Sequence, residues 1–338
     1  MKNFKRIASI LFSAVLLTSS AALAGCSKEG GENLEGKENG DGDKILTVAI
    51  GQFGEHGSLD NCREGFIEGL RQEGFVDGEN IKIDYQNASF DTGNCTMIAQ
   101  NFVASNADLI CAVATPIAVS CFNEAYEKEI PVVFTAITDP EGAKLTEGEV
   151  TGTSDVLPVE AQLKLIRELL PDSEKIGILY TTSETNSEYT IKMYNELAEN
   201  YGFEIITQAV SDGADVAAAM DTILDKVDCI SNLTDNTVVG QLDIMLEKAN
   251  NAGKPIFGSE IEQIKKGCIA GEGLEYFDLG IQTGKMAAKI LRGEAKASEL
   301  PYETVTDNHL YVNKAVAESF NVELSDAVNE RAEFVGEE

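Results

Sequence analysis

Residues 44–74, KILTVAIGQFGEHGSLDNCREGFIEGLRQEG, decide the fold class. Ile45 to Ile50 is a short apolar run rich in β-branched side chains, and it stops at Gly51. After a loop, Cys62, Phe66, Ile67 and Leu70 recur at helical spacing until Gly74. A buried-type strand followed by one amphipathic helix is the unit of a parallel sheet covered on both faces. The unit recurs. Ile81–Tyr85, Leu109–Val113, Pro131–Ala136 and Val150–Thr153 read as strands, with a helix around Cys95–Val103 and another opening at Pro116.

The alternation restarts after Pro158. Leu163, Ile166, Leu169 and Leu170 mark a helix, then strand Lys175–Tyr180, helix Glu188–Tyr201, strand Phe203–Ala209 and helix Asp215–Lys226. Strand Asp228–Leu233, helix Val238–Ala252 and strands Pro255–Phe257 and Cys268–Ala270 follow. The pattern predicts an α/β protein of two doubly wound parallel-sheet lobes meeting near Ser154–Pro158. A last helix, Phe277–Arg292, carries Gly280 and Gly284, a spacing that predicts close helix–sheet packing rather than a membrane dimer face.

The chain's 338 residues suit two cores better than one, and 43% hydrophobic residues exclude wholesale disorder. A net charge of −31 repels phosphate backbones and argues against nucleic acid as a partner. Lys2, Lys5 and Arg6 precede an uncharged run ending in Leu23-Ala24-Gly25-Cys26. That is the form of a signal peptide over residues 1–25, and the final residues resemble a bacterial lipobox that would make Cys26 a lipidated N-terminus. Residues 26–43 read as the lipidated Cys and a flexible acidic tether. The layout predicts an extracytoplasmic protein anchored to the cell membrane. Six cysteines remain, without a CxxC pattern, so no metal site is expected; Cys62 and Cys95 are the candidate disulfide.

Enzyme signatures are missing. No G-x-G-x-x-G follows the first strand, and neither a P-loop nor a G-x-S-x-G elbow occurs. His56 and His309 are the sole imidazoles, which leaves nucleophilic catalysis few bases. No cofactor and no catalytic residue is expected.

Ligands of parallel sheets bind beyond the carboxyl ends of the strands. The loop after the first strand holds Phe53, Glu55 and His56; Phe53 either enters a crevice or caps the core, and His56 is either structural or a ligand group. Thr115-Pro116 opens a helix whose free N–H groups favour an anion, although Thr115 is equally an N-cap. Thr138-Asp139 is a similar turn, and Ser154-Asp155 lies where the lobes cross. In the second lobe, Ser183, Glu184 and Asn186, then Thr234, Asp235 and Asn236, then Ser259 and Glu260 occupy three strand-end loops. Each alone is a plausible helix cap; together they favour one shared site.

These loops carry a resemblance. Glu55-His56, Asp60–Gly69, Ile83–Ala88, Ala114-Thr115-Pro116, Thr135–Pro140, Gly152–Asp155, Thr234–Thr237 and Phe257–Glu260 resemble the ABC transporter substrate-binding lipoproteins of the tryptophan/tyrosine-uptake type, from about Lys44 to Asn321. The resemblance implies a type I periplasmic-binding-protein fold with three crossing segments. It implies one lobe from residues 44–154 plus 274–298 and a second from 155–273 plus 299–338, so that Phe277–Arg292 returns to the first. It implies capture of a small ligand, an aromatic amino acid above all, for an ABC permease. On that reading Thr115 and Thr138 take the ligand carboxylate, Asp155, Asp235 or Glu260 its ammonium, and Phe53 stacks on its side chain, with Thr115, Asp155 and Asp235 converging on one pocket. The alternatives are the same fold binding a nucleoside, sugar or other small molecule, and an extracytoplasmic hydrolase using a carboxylate pair. The absence of Trp weakens the sugar reading.

Overall fold

The computed structural model describes residues 45–336. The signal peptide, Cys26 and tether expected from the sequence lie outside the described residues. Within them, no helix is long and apolar enough to cross a membrane.

The chain begins β1 (Leu46–Gln52), α1 (Gly57–Gln72), β2 (Ile81–Asn87), α2 (Thr92–Ala104), β3 (Leu109–Val113), α3 (Thr115–Ala125), β4 (Val132–Ile137) and β5 (Val150–Ser154). The five strands pair in parallel in the order β5-β4-β3-β1-β2. β3, β4 and β5 are buried at every position, as strands covered on both faces must be. Right-handed crossovers put α1 on one face and α2 with α3 on the other.

The second lobe continues with α4 (Val159–Leu169), β6 (Lys175–Thr181), α5 (Thr185–Leu197), β7 (Glu204–Val210), α6 (Val216–Leu224), β8 (Cys229–Ser231), α7 (Asn236–Val239), α8 (Leu242–Ala252), β9 (Ile256–Phe257) and α9 (Ile261–Lys266). Its strands form a parallel sheet, β7-β6-β8-β9. The helix expected over Val238–Ala252 is two helices. Gln241 leaves the helical region (φ −110°, ψ 16°), and Gly240 before it lies against the Phe90 ring of the first lobe.

The rest of the chain is β10 (Ala270–Gly273), α10 (Tyr276–Leu291), β11 (Glu303–Thr304), β12 (His309–Asn313), α11 (Lys314–Ser319), α12 (Asp326–Arg331) and β13 (Ala332–Val335). β10, β12 and β13 make a small mixed sheet beside β9, joined to it by Ile269 N donating to Ile256 O at 2.8 Å. Residues 299–338 do not all stay with the second lobe. Glu303 and Thr304 pair with Thr153 and Ser154, because β5 would otherwise expose an unpaired edge of the first sheet. The chain therefore passes between the sheets three times, after β5, after β10 and after β11.

α10 lies on β4 and β5, where Thr283 Oγ1 meets Thr153 Oγ1 at 2.7 Å, and packs along α1 as well. Gly65 and Gly69 of α1 face Gly280 and Gly284 of α10 so closely that an added Cβ at Gly280 would lie 2.2 Å from the Cys62 carbonyl oxygen. The expected Cys62–Cys95 disulfide is absent: all six described cysteines are free and buried. Cys62 rides on α1 and Cys95 on α2, on opposite faces of the sheet, so the strands separate them. Burial pushes the Cys95 thiol up to about 12, and these side chains act as small hydrophobes.

Candidate functional site

The first-lobe wall of the cleft forms where β4 and β5 end. The register between them shifts from Phe134 to Ile137, and Ala136 takes a positive φ of 58°. That bulge turns Ala136 and Thr138 toward the interlobe cavity that both line. Asp155 follows β5, is 2% exposed, and accepts hydrogen bonds from Thr138 Oγ1 at 3.0 Å and the Tyr276 hydroxyl at 2.6 Å. Burial pushes its carboxyl up to about 6, while those two bonds pull it back down. Tyr276, the first residue of α10, is itself pushed well above its ordinary range by burial and by Asp155, so it stays a proton donor. Among the described residues no Lys or Arg lines the cavity, so Asp155 meets no cationic partner from them there.

α1 points its N-terminus at the same space. Its N-cap, His56, is extended and makes no side-chain cap, while Ser58 and Leu59 of the first turn line the cavity. The leading N–H groups of a 16-residue helix thus present its positive end to the cleft.

The second-lobe wall is built around two buried acids. Asp235 caps α7 and accepts from Thr181 N at 2.6 Å, Thr181 Oγ1 and Ser187 Oγ at 2.7 Å, and Val238 N at 3.0 Å. Glu184 accepts from Asn236 N at 2.9 Å and Nδ2 at 2.6 Å, and from Thr237 N at 2.9 Å and Oγ1 at 2.7 Å. Burial, with Asp235 beside it, pushes Glu184 up to about 7. Neither acid lines the cavity; Asn186, Thr234, Asn236 and Gln263 do.

Hydrogen bonds cross the cleft. His56 Nε2 lies 3.3 Å from Asn236 Oδ1, Asn61 Nδ2 donates to Glu262 Oε1 at 3.3 Å, and the Ser58 hydroxyl donates to Glu260. Burial, the largest influence, lowers His56 to about 4, so its imidazole is neutral at neutral pH. The void between the walls is about 300 Å³, and the bonds that bridge it hold the lobes closed. Among buried side-chain atoms, His56 Nδ1 and Asn186 Oδ1 have no partner, and both residues line the cavity.

The structure thus brings His56, Thr138, Asp155, Asn186, Thr234 and Asn236 together and leaves the other expected residues elsewhere. Phe53 is 1% exposed in the first-lobe core, edge-on to Phe90 at 5.8 Å, because the loop after β1 folds over β3 with Phe53 N donating to Val113 O. It does not stack in the cleft. The same fold-over leaves α1 rather than α3 at the cavity: Thr115 is buried with Oγ1 unpartnered, Pro116 is half-buried, and neither lines it. Of Thr115, Asp155 and Asp235, only Asp155 faces the shared space. Glu55 and Ser183 are exposed. Asp139 caps a turn through Gly142 N at 2.9 Å, Ser154 pairs in the sheet, and Ser259 Oγ donates to Asn232 O. Glu260 caps α9 through Glu262 N and Gln263 N, and burial pushes it up to about 7.

Ser58, Leu59, Val239, Gln263 and Tyr276 also line the cavity and were not expected. Three had a legible signal. The Glu260-x-x-Gln263 spacing is that of a helix start, and Ser58-Leu59 directly follows His56 where α1 opens.

A family model described as "ABC transporter substrate binding protein" matches residues 47–335. The chain is 34% identical to a "Tyrosine-binding protein" of Clostridioides difficile over 97% of its own length and 96% of that protein's. It superposes on a Streptococcus pneumonia ABC domain in complex with L-Trp with a TM-score of 0.83 at 31% identity, covering 86% of this chain and 100% of that one. Against the ligand-free, open structure of a Clostridium difficile substrate-binding protein with adhesive properties the TM-score is 0.65 at 34% identity, covering 87% and 100%. The higher score goes to the complexed chain despite lower identity, in keeping with the hydrogen bonds across the cleft.

Proposed function

The chain belongs to the ABC transporter substrate-binding proteins, and on that premise we propose that its cleft captures an aromatic L-amino acid and presents it to a membrane permease. Its family consists of binding proteins rather than enzymes, and they work outside the cytoplasm. One observation carries the ligand class: a buried carboxylate without a cationic partner, Asp155, shares a cavity with an uncapped helix N-terminus. Those are the two ends of a zwitterion's requirements. Asp155 takes the ammonium through charge-assisted bonds, and the N–H groups at Ser58 and Leu59 take the carboxylate. Leu59, Ala136, Val239 and the Tyr276 ring supply apolar surface for the side chain. A tyrosine-binding relative and an L-Trp complex support an aromatic one.

A ligand held from both walls stabilises the closed form by its greater affinity for it. The permease reads that change of shape. The signal-like residues 1–25 and the lipobox-like Leu23-Ala24-Gly25-Cys26 support lipidation at Cys26, with residues 27–43 as a tether. Cys26→Ser then releases the protein into the medium, and retention at the membrane argues against the anchor.

The binding test is a thermal-shift screen of single L-amino acids on the soluble chain. Ligand at about 100 times its Kd stabilises by about 2.7 kcal/mol, or roughly 4 °C for a protein of this size. L-Tyr or L-Trp is expected to give that shift. A shift with a sugar or nucleoside and with no amino acid overturns the reading.

A further inference from the structure

We propose that Glu184 is a positioning residue that sets two hydrogen-bond acceptors at the cleft, His56 Nδ1 of the first lobe and Asn186 Oδ1 of the second, and so selects aromatic amino acids whose side chain carries a donor. The inference rests on the amino-acid reading of the cleft and adds a rule of specificity to it.

Glu184 is fully buried and receives four donors, from Asn236 N and Nδ2 and from Thr237 N and Oγ1. Ringed by these donors, its two oxygens serve as acceptors. It therefore holds the amide nitrogen of Asn236, 2.6 Å away, and turns Asn236 Oδ1 toward His56. An acceptor 3.3 Å from His56 Nε2 draws the imidazole proton to that nitrogen. His56 is neutral, so Nδ1 carries only its lone pair, and no protein group donates to it.

Asn186 is set by the same carboxylate. Its Nδ2 lies 3.5 Å from Glu184 Oε2 and donates to Thr234 O at 3.2 Å, which engages the nitrogen and leaves Oδ1 without a partner. Asn186 is 5% exposed, so water does not readily satisfy that oxygen. Two lone-pair atoms, one on each wall, demand donors from the occupant. A phenol O–H or an indole N–H supplies one; a phenyl ring supplies none. A site built to hydrogen-bond a ligand group rejects the analogue that lacks it, because its own buried atoms stay unpaired.

Calorimetry with L-Tyr, L-Trp, L-Phe and 4-fluoro-L-Phe tests the rule on the wild-type protein. The two donor-free ligands are expected to bind at least tenfold more weakly than the better of L-Tyr and L-Trp, about 1.4 kcal/mol. Long-range proton–nitrogen spectra resolve just two imidazoles, His56 and His309, and His56 is expected as the Nε2–H tautomer. In Glu184→Gln an amide nitrogen enters a ring of donors; the discrimination is expected to fall within about threefold, with loss of the single tautomer. Should that variant not fold, the wild-type ratio and tautomer still decide. Equal affinity for L-Phe and the better of L-Tyr and L-Trp, an Nδ1–H tautomer, or unchanged selectivity in a folded Glu184→Gln overturns the inference while leaving an amino-acid site intact. Failure of every aromatic amino acid to bind overturns the underlying reading instead.

Discussion

Asp155→Asn weakens the binding of an aromatic L-amino acid roughly 150- to 5,000-fold at neutral pH, measured by calorimetry. The substitution keeps the shape of the side chain and an oxygen to accept from Tyr276 or Thr138, so the wall itself survives. What disappears is the negative charge. Removing one partner of a buried ion pair costs about 3–5 kcal/mol because the other charge is left without compensation. Among the described residues no second carboxylate lines the cavity to take over. Asp155 is 2% exposed, so solvent does little to replace the charge. A change of less than about threefold would place the ligand ammonium elsewhere.

The same residue predicts a pH dependence with opposite signs for the free and liganded protein. Asp155 is raised to about 6, so below that pH the ammonium must displace a proton, and affinity falls toward tenfold per pH unit. Binding near pH 6 releases that proton, which calorimetry in buffers of different ionisation enthalpy detects. The unliganded protein behaves otherwise. Asp155 at about 6 and Glu184 and Glu260 at about 7 all bind protons more tightly folded than unfolded. Their stabilising contribution is present at low pH and lost as pH rises through 6–7. His56, lowered to about 4, opposes them between its ordinary value and 4, since the unfolded chain gains a proton the folded one refuses. With three groups against one, the free protein's Tm rises on acidification from pH 8 to 5, while the ligand-induced shift shrinks.

The alternation of strands and helices was legible because a strand covered on both faces is apolar throughout, as β3 and β4 are. The C-terminal sheet was not, since β12 and β13 have 5 and 4 residues and pair with partners distant in sequence. At the site, composition alone could not separate acids that meet a ligand from acids consumed by backbone. Glu184, Asp235 and Glu260 each sit directly before a helix and serve as its N-cap residue, and Asp235 and Glu260 spend oxygens on its first N–H groups. Asp155 lies four residues before α4 begins and caps nothing, which leaves its oxygens to two hydroxyls and the cleft. Distance from the next helix start was the discriminating signal. Tyr276 and the α1 terminus escaped for another reason: they come together only because α10 returns to the first lobe.

That return rests on glycines, and Gly284→Ala is expected to destabilise the protein by about 2 kcal/mol and to cost ligand affinity as well. On an exposed helix the change would be favourable, since Ala exceeds Gly by about 1 kcal/mol in helix propensity. Here the added Cβ would lie 2.3 Å from the Phe66 carbonyl oxygen and 2.9 Å from Gly69 Cα and Leu70 N. These are backbone atoms and cannot rotate aside, so the helices must separate, and overpacking of this kind costs about 1–3 kcal/mol. The lost contacts along both helices add to that cost, and steric strain outweighs propensity. The consequence reaches the cleft because α1 carries Ser58 and Leu59 and α10 carries Tyr276, whose hydroxyl holds Asp155. Pushing the pair apart moves the carboxylate end of the site away from the ammonium end. Lys285→Ala, on the solvent side of the same helix, changes neither denaturant midpoint nor affinity. A Gly284→Ala protein as stable as wild type would mean that the two helices are free to slide, and the cleft would then owe its shape to something other than their contact.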